Sequence, residues 1–123
     1  MSPLVAERIA LAGKVPAEAI GRAWIAREAL AARLRHLLGD DGLLVIPTAH
    51  DIAPRVGAPV TDQIAFRDRT LALTCVASLC RLPQVNLPAG TVEGVPVGLS
   101  LIGPPQGDAL LLAAAEALAP ALA

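Results

Sequence analysis

Residues 82–104 read LPQVNLPAGTVEGVPVGLSLIGP and predict a β-hairpin that decides the fold. Apolar side chains alternate with polar or small ones along residues 84–87 and again along residues 95–101, which is the two-residue period of a strand. Residues 89–94 form a connection that is too long for a two-residue turn, and its two glycines supply the positive φ angles that a wider turn needs. The stretch therefore predicts two paired strands joined by a wide loop.

The first strand of this hairpin has one polar face. Gln84 and Asn86 project to that face, while Val85 and Leu87 project to the other. In the second strand, Gly98 leaves open space, which suits either a close packing contact or the approach of a ligand. Both interpretations of this glycine stay open, and the polar pair is a candidate for substrate contact.

The rest of the chain predicts helices around one further strand. Capping residues, apolar periodicity and breakers indicate a helix from Pro3 to Gly13, a helix from Pro16 to about Leu38, a strand at Leu43–Ile46, a helix from about Arg69 to Cys80, and a last helix from Asp108 with Pro120 beyond its end. The strand is apolar throughout, which indicates a central strand covered on both faces. Prolines and a glycine predict a loop at residues 55–61.

Arg27 lies in the middle of the apolar face of the second predicted helix. Because an unpaired guanidinium is costly to bury, it must either extend its head to solvent or meet a carboxylate or carbonyl inside. We expect a buried pair. The apolar residues around it are Ile20, Ala23, Trp24, Leu30, Ala31, Leu34, Leu37 and Leu38.

Polar residues follow the apolar strand where it ends. Thr48, His50 and Asp51 lie in an irregular segment, and loops at the carboxyl ends of strands are where ligands bind in open α/β sheets. We expect these three residues, together with Gln84 and Asn86, to contact substrate. The alternative is a solvated loop that Asp51 helps to turn.

Composition excludes several classes of partner. Hydrophobic residues make up 54% of the chain, the formal net charge is −1, and the mean hydropathy is +0.59. Without a Lys/Arg block, neither nucleic acid nor an anionic membrane is an expected partner, and no apolar run is long enough to span a bilayer. Charges at Glu7 and Arg8 argue against a signal peptide, so we expect a cytoplasmic protein. Cys75 and Cys80 lack a ligand pattern and are expected as small core residues.

Three strands cannot cover themselves on both faces. A strand as apolar as Leu43–Ile46 needs neighbours that this sequence does not obviously contain. We therefore expect residues 1–123 to form a single region that is either part of a larger α/β layer structure or one half of an obligate assembly.

The order of these segments resembles the C-terminal portion of the amidase signature family of hydrolases. The resemblance rests on the following segments in order: Arg22, Ala23 and Arg27 on a helix, Asp41–Thr48, Ala53–Pro54, Leu82–Gly90, Gly94–Pro104 and the helix start at Asp108–Leu111. It implies an α/β fold in which part of a mixed β-sheet is flanked by helices, an incomplete α/β/α sandwich with a C-terminal β-hairpin and helix. It also implies amide hydrolysis by a serine nucleophile, a second serine in a cis peptide and a lysine, with no metal or organic cofactor.

The catalytic set of that family has no counterpart among these residues. Ser2, Ser78 and Ser100 lack the Gly/Ser-rich surroundings of the nucleophile, and Lys14 lacks the context of the catalytic lysine. No catalytic residue is carried over, and Ser100 is expected to be a strand hydroxyl. We expect the chain to contribute scaffold and pocket wall to an amidase, in a homo-oligomer or with a complementing N-terminal portion, and to be inactive alone. The alternative is a non-catalytic α/β interaction module that self-associates or pairs with a partner protein.

Overall fold

The computed structural model describes residues 3–122, and the side chains of residues 5–122. Within that range the elements are α1 (Pro3–Ala12), α2 (Ala17–Leu38), β1 (Leu44–Pro47), α3 (Val60–Cys80), β2 (Gln84–Val92), β3 (Val95–Ile102) and α4 (Asp108–Leu122). This arrangement confirms the α/β class, the order of the elements, the hairpin and the helix that follows it. None of the helices in this part of the chain is long and apolar enough to cross a bilayer.

The sheet has the strand order β1-β3-β2, and both pairings are antiparallel. The prediction that the apolar run would form a central strand is wrong for the described residues, since β1 lies at an edge and the hairpin strand β3 is central. Val45 is 51% exposed, so the outer face of β1 is not covered. An apolar run shows that a strand is suited to burial on both faces, but its neighbours come from the rest of the fold.

The hairpin turn is tighter than predicted. Val92 pairs with Val95, which leaves Glu93 and Gly94 as a two-residue turn with φ angles of 52° and 77°. Positive φ at both central positions is the geometry of a type I′ turn, which matches the twist of the flanking strands. The residues assigned to a wide loop instead extend β2, and a bulge near Gly90 absorbs the extra residue.

Two helix boundaries also differ from the predictions. α3 begins at Val60, directly after Pro59, and not at about Arg69. The proline marks the start of the helix, and the first turns of α3 lack a clear apolar stripe because they are largely exposed. Pro120 lies inside α4 and not beyond it. Near the C-terminal end of a helix a proline removes one backbone hydrogen bond, and few turns follow to be disturbed.

Helices cover the sheet on both faces. On one face, α2 and α3 form the main core with the sheet; its buried members are Ala31, Leu34, Leu38, Ala77, Cys80, Leu82 and Ile102. On the other face, α4 packs mainly against β2, and Leu111 and Ala115 are buried with Leu101 of β3. Because Leu101 and Ile102 are adjacent in a strand, their side chains enter opposite layers. These layers set the position of the hairpin against the loop after β1.

The apolar face of α2 is buried only at positions in its C-terminal half, and Leu37 there is still 70% exposed. Ala31, Leu34 and Leu38 are buried, whereas Ile20 and Trp24 are 46% and 50% exposed. The predicted apolar arc is therefore correct as a pattern, but half of it has no packing partner within the described residues. This uncovered half is a large apolar surface on an otherwise ordered helix.

Arg27 meets a carbonyl and not a carboxylate. Its Nε donates to the carbonyl oxygen of Leu79 at 2.7 Å, but this bond is exposed and Arg27 is only half-buried, so the pair is not the buried one that was expected. Nearby, Arg35 donates to the carbonyl oxygen of Cys80 at 3.2 Å, and Arg81 pairs with Glu28 at 2.9 Å. The last carbonyls of a helix lack intrahelical donors, so arginines of α2 satisfy the C-terminal end of α3.

Candidate functional site

A cavity of about 530 Å³ lies between the loop after β1 and the far end of the hairpin. Thr48, His50 and Asp51 line it, so three of the five predicted contact residues share one site. Phe66 of α3 and the β3 segment 96–99 complete the wall. Gln84 and Asn86 lie outside the cavity, although hydrogen bonds connect them to it.

A chain of hydrogen bonds crosses the three strands beside this cavity. Ser100 is fully buried, and its Oγ donates to Asn86 Oδ1 at 2.6 Å while lying 3.0 Å from Thr48 Oγ1. Since the single hydroxyl proton of Ser100 is used on Asn86, the proton between Thr48 and Ser100 comes from Thr48. Gln84 Nε2 donates to the same Asn86 oxygen at 3.1 Å.

This chain of hydrogen bonds determines how Thr48 can act. Its hydroxyl proton is directed to Ser100, so the lone pairs of Thr48 Oγ1 remain available as acceptors toward the cavity. Asn86 uses its side-chain oxygen on other side chains and not on neighbouring backbone groups. The polar face predicted for the first hairpin strand therefore acts on the cavity through Ser100, a residue that the sequence singled out only as a strand hydroxyl.

His50 is held by α3. Its Nδ1 lies 3.1 Å from Thr70 Oγ1, and its ring centroid lies 4.9 Å from that of Phe66 at an interplanar angle of 48°. These two contacts orient the ring and leave Nε2 unused by them. Phe66 and Thr70 were not predicted for the site, since Phe66 precedes the predicted start of its helix and both are distant from His50 in sequence.

Asp51 and Gly98 have simpler roles. Asp51 is exposed, and its Oδ1 accepts a hydrogen bond from the backbone N–H of Ile52 at 2.8 Å, which shapes the loop locally. A Cβ on Gly98 would lie 2.8 Å from Thr48 Oγ1. Of the two interpretations of this glycine, the structure therefore supports close packing, because Thr48 occupies the space that a side chain would need.

Ser78, Ser100 and Cys80 show no features of an activated nucleophile. Ser100 donates to Asn86, and the hydroxyl of Ser78 donates to the carbonyl oxygen of Cys75 at 3.0 Å. Ser2 lies outside the described residues. Burial raises the pKa of the Cys80 thiol, and this effect outweighs the opposing influence of the nearby arginines of α2.

The cavity is suited to hydrogen bonding. Among residues 3–122, no three or more His, Cys, Asp or Glu side chains form a group that could hold a metal ion. The wall offers an acceptor at Thr48, an imidazole at His50 and a carboxylate at Asp51, while the residues of β3 supply apolar surface. Such a wall can orient a ligand that has one polar group and one apolar group.

Comparison with known proteins identifies the family. The model of the family described as Amidase matches residues 1–112. Amidase 1 of Arabidopsis thaliana is 34% identical over 117 residues, which are 95% of this chain and 28% of that protein. A glutamyl-tRNA(Gln) amidotransferase subunit from Halobacterium salinarum is 31% identical over 99 residues, which are 79% of this chain and 22% of that protein.

Solved structures agree with this assignment. A crystal structure of an amidase superposes with a TM-score of 0.80 and 30% identity, covering 100% of this chain and 29% of the solved one. The structure of a glutamyl-tRNA(Gln) amidotransferase subunit from Thermotoga maritima has a TM-score of 0.77 and covers 94% of this chain and 25% of its own; at 22% identity it shows a shared fold alone. The chain thus spans between 22% and 29% of the length of these relatives. It belongs to the amidase family, as the hairpin and its following helix predicted.

Proposed function

We propose that this chain is the C-terminal part of an enzyme that hydrolyses amide C–N bonds. In this proposal the chain supplies scaffold and one wall of the substrate pocket. The serine nucleophile, the second serine and the lysine come from polypeptide outside residues 1–123. The protein works in the cytoplasm without a metal or organic cofactor, and residues 1–123 act as one region.

The observation that carries this proposal is the composition of the cavity wall. An amide presents a carbonyl that needs donors and an N–H that needs acceptors, beside substituents that are often apolar. Thr48 Oγ1 has free lone pairs, and His50 is oriented by Thr70 with one ring nitrogen unused. The apolar surface of β3 lines the same cavity, where it can contact the acyl or the amine substituent.

Gln84 and Asn86 act indirectly in this proposal, through Ser100 and Thr48. They do not line the cavity, but the bond from Ser100 to Asn86 determines the direction of the proton on Thr48. Asn86 is thus a positioning residue, and Gln84 supports it through the same oxygen. Thr48, His50 and Asp51 are the residues that we expect to touch substrate.

A second candidate is a non-catalytic interaction module that pairs with itself or with a partner protein. The solvent-accessible surface is 8544 Å² for a chain of 12.6 kDa. A compact monomer of that mass exposes about 6200 Å² by the usual scaling of surface with mass. The excess supports association with another polypeptide, and it is compatible with either candidate.

An amide-hydrolysis assay separates the two candidates. The chain is assayed alone and after refolding with Arabidopsis Amidase 1 that lacks the region matched by this chain, hereafter truncated Amidase 1. We expect no turnover from either component and turnover from the mixture, reduced by His50→Ala or Thr48→Val. Arg55→Ala is the control, since Arg55 is exposed and does not line the cavity, and it should retain the activity of the mixture.

Two other outcomes are informative. Robust turnover by the isolated chain would overturn the claim that the catalytic set lies outside it. An inactive mixture, together with an isolated chain whose mass in solution doubles with concentration, would favour the interaction module.

A further inference from the structure

An apolar groove runs along α2 on the half of the helix that lacks a packing partner. Its volume is about 580 Å³, and we call it the Trp24 groove. Its main lining residues are Val15, Ile20, Ala23, Trp24, Leu30 and Leu79. Contiguous apolar surface of this kind marks an interaction site on a soluble protein, whereas single exposed apolar residues do not.

The shape of the groove suits a helix. From Ala19 to Leu30 it follows α2 for about 16 Å at 1.5 Å per residue, and Val15 extends it just before the helix begins. Ala19 and Ala23 lie along the same line, and small side chains allow the backbone of a second helix to come close. A helix that places apolar residues at i, i+3, i+4 and i+7 can fill such a groove.

Trp24 is held in position before any partner arrives. The guanidinium carbon of Arg27 lies 4.5 Å from the centroid of the Trp24 ring, and Arg27 Nε is bonded to Leu79 O at 2.7 Å. The ring is thus fixed from one side while half of its surface stays exposed. A pre-ordered tryptophan loses little conformational freedom on binding, and tryptophan is among the residues that dominate interface energies.

The excess solvent-accessible surface of the chain is larger than the area that one standard interface buries. The excess over a compact monomer is about 2300 Å², whereas a stable interface buries about 800 Å² on each partner. Further open surface lies at both edges of the sheet. By the register of the two ladders, Val45 of β1 and Asn86 of β2 direct their backbone N–H and C=O groups away from the sheet.

The extent of these open surfaces distinguishes two possible occupants of the Trp24 groove, a second copy of the chain and a larger polypeptide. A two-fold dimer covers one self-complementary patch on each copy. β1 and β2 lie at opposite sides of β3, so one such patch cannot cover both edges and the Trp24 groove as well. A larger polypeptide that surrounds the chain can cover both edges and the groove. The solved amidase that this chain matches over its full length is more than three times as long as this chain.

On the basis of the function proposed above, we propose that the Trp24 groove is the docking surface for an apolar helix of the polypeptide that carries the remaining portion of the amidase domain. Trp24 is the central contact, and Arg27 acts by holding it. The open edges of β1 and β2 add backbone hydrogen bonds, and the groove supplies the apolar part of the interface.

The sequence provides a direct probe, because Trp24 is the only tryptophan. The chain labelled with 5-fluorotryptophan gives one fluorine resonance, which reports on the groove alone. Refolding with unlabelled truncated Amidase 1 should shift and broaden this resonance. A shift that depends on the concentration of the chain alone would show that a second copy fills the groove, and it would overturn the proposed occupant.

Paired substitutions on one helix test the position of the contact. Trp24→Asp should weaken binding of unlabelled chain to truncated Amidase 1 by about 30-fold, the size of a central interface residue. Ile25→Asp is the matched control, since Ile25 is 74% exposed on α2 and does not line the groove. It should change affinity by less than about threefold. Ile20→Asp, inside the groove, gives a second loss of affinity if Trp24→Asp proves less stable.

The outcomes separate this inference from the proposed function. If the mixture hydrolyses amides and Trp24→Asp binds as well as Ile25→Asp does, the groove is not the docking surface, although the proposed function stands. If the unsubstituted chain neither binds truncated Amidase 1 nor restores hydrolysis, both proposals are wrong. Circular dichroism and thermal unfolding of each variant show that the comparison concerns folded chains.

Discussion

Replacing Ser100 by alanine should break the hydrogen-bond chain that connects the hairpin to the loop after β1. Ser100 is fully buried and uses its hydroxyl twice, as a donor to Asn86 and as an acceptor from Thr48. Alanine fits the same space, so the substitution removes the hydroxyl without adding volume. Asn86 is exposed and can bond water instead, whereas the half-buried Thr48 hydroxyl loses its acceptor.

The expected cost follows from these contacts. Two hydrogen bonds of about 1 kcal/mol each, with one partly replaced by water, predict a loss of about 1–2 kcal/mol in the free energy of unfolding. For a chain of 123 residues, an unfolding entropy of about 2.1 cal/mol/K per residue converts this loss to a fall in Tm of about 4–8 °C. Thr48→Val should share part of the loss, because it removes the donor of the same bond.

Calorimetry and urea unfolding of Ser100→Ala, Thr48→Val and the double variant measure this coupling directly. The two single losses should together exceed the loss in the double variant by about 0.5–1 kcal/mol. Ser78→Ala is the matched control, since its hydroxyl serves only a local contact on an exposed helix face, and it should change stability by less than about 0.5 kcal/mol. Strict additivity, or equal effects of the two serine substitutions, would refute the reasoning.

Three further predictions follow from single contacts. Gly98→Ala places a Cβ 2.8 Å from Thr48 Oγ1 and should lower Tm, and adding Thr48→Ala should restore most of the loss in calorimetry. Arg27→Met keeps the apolar stem but loses the bond to Leu79 O, so it should cost about 1 kcal/mol in urea unfolding and red-shift tryptophan fluorescence. Because burial raises the pKa of the Cys80 thiol in the folded chain, this thiol ionises at a lower pH in the unfolded chain than in the folded one. The free energy of unfolding measured at neutral pH should therefore fall above about pH 8.5, and it should fall less steeply in Cys80→Ala. A thiol reagent should also modify Cys80 more slowly than Cys75.

Local patterns predicted the elements of this fold well where one face is buried along the whole element. The alternation in β3 and the helix start at Asp108 are as expected. The tight turn at Glu93 was missed because glutamate rarely adopts positive φ, so the residue type does not reveal a type I′ turn. The start of α3 at Val60 was missed because its first turns are largely exposed and carry no apolar stripe.

The candidate site was predictable only where its residues are neighbours in sequence. Thr48, His50 and Asp51 follow one strand, so a single loop argument selects them together. The contact between His50 and Thr70 depends on how α3 packs beside that loop. The contact between Thr48 and Ser100 depends on the register of β1 against β3, and one step of register would turn Ser100 to the opposite face.

The sequence by itself determined the family, the α/β class, the order of the elements and the polar loop, because these depend on residue types and on periodicity within short segments. Only the tertiary structure decided that β3 is the central strand, that Ser100 connects Asn86 to Thr48, and that half of the apolar face of α2 remains open. These features depend on which segments pair across long separations. Such pairing is set by the joint packing of the helices on both faces of the sheet, which no single segment encodes.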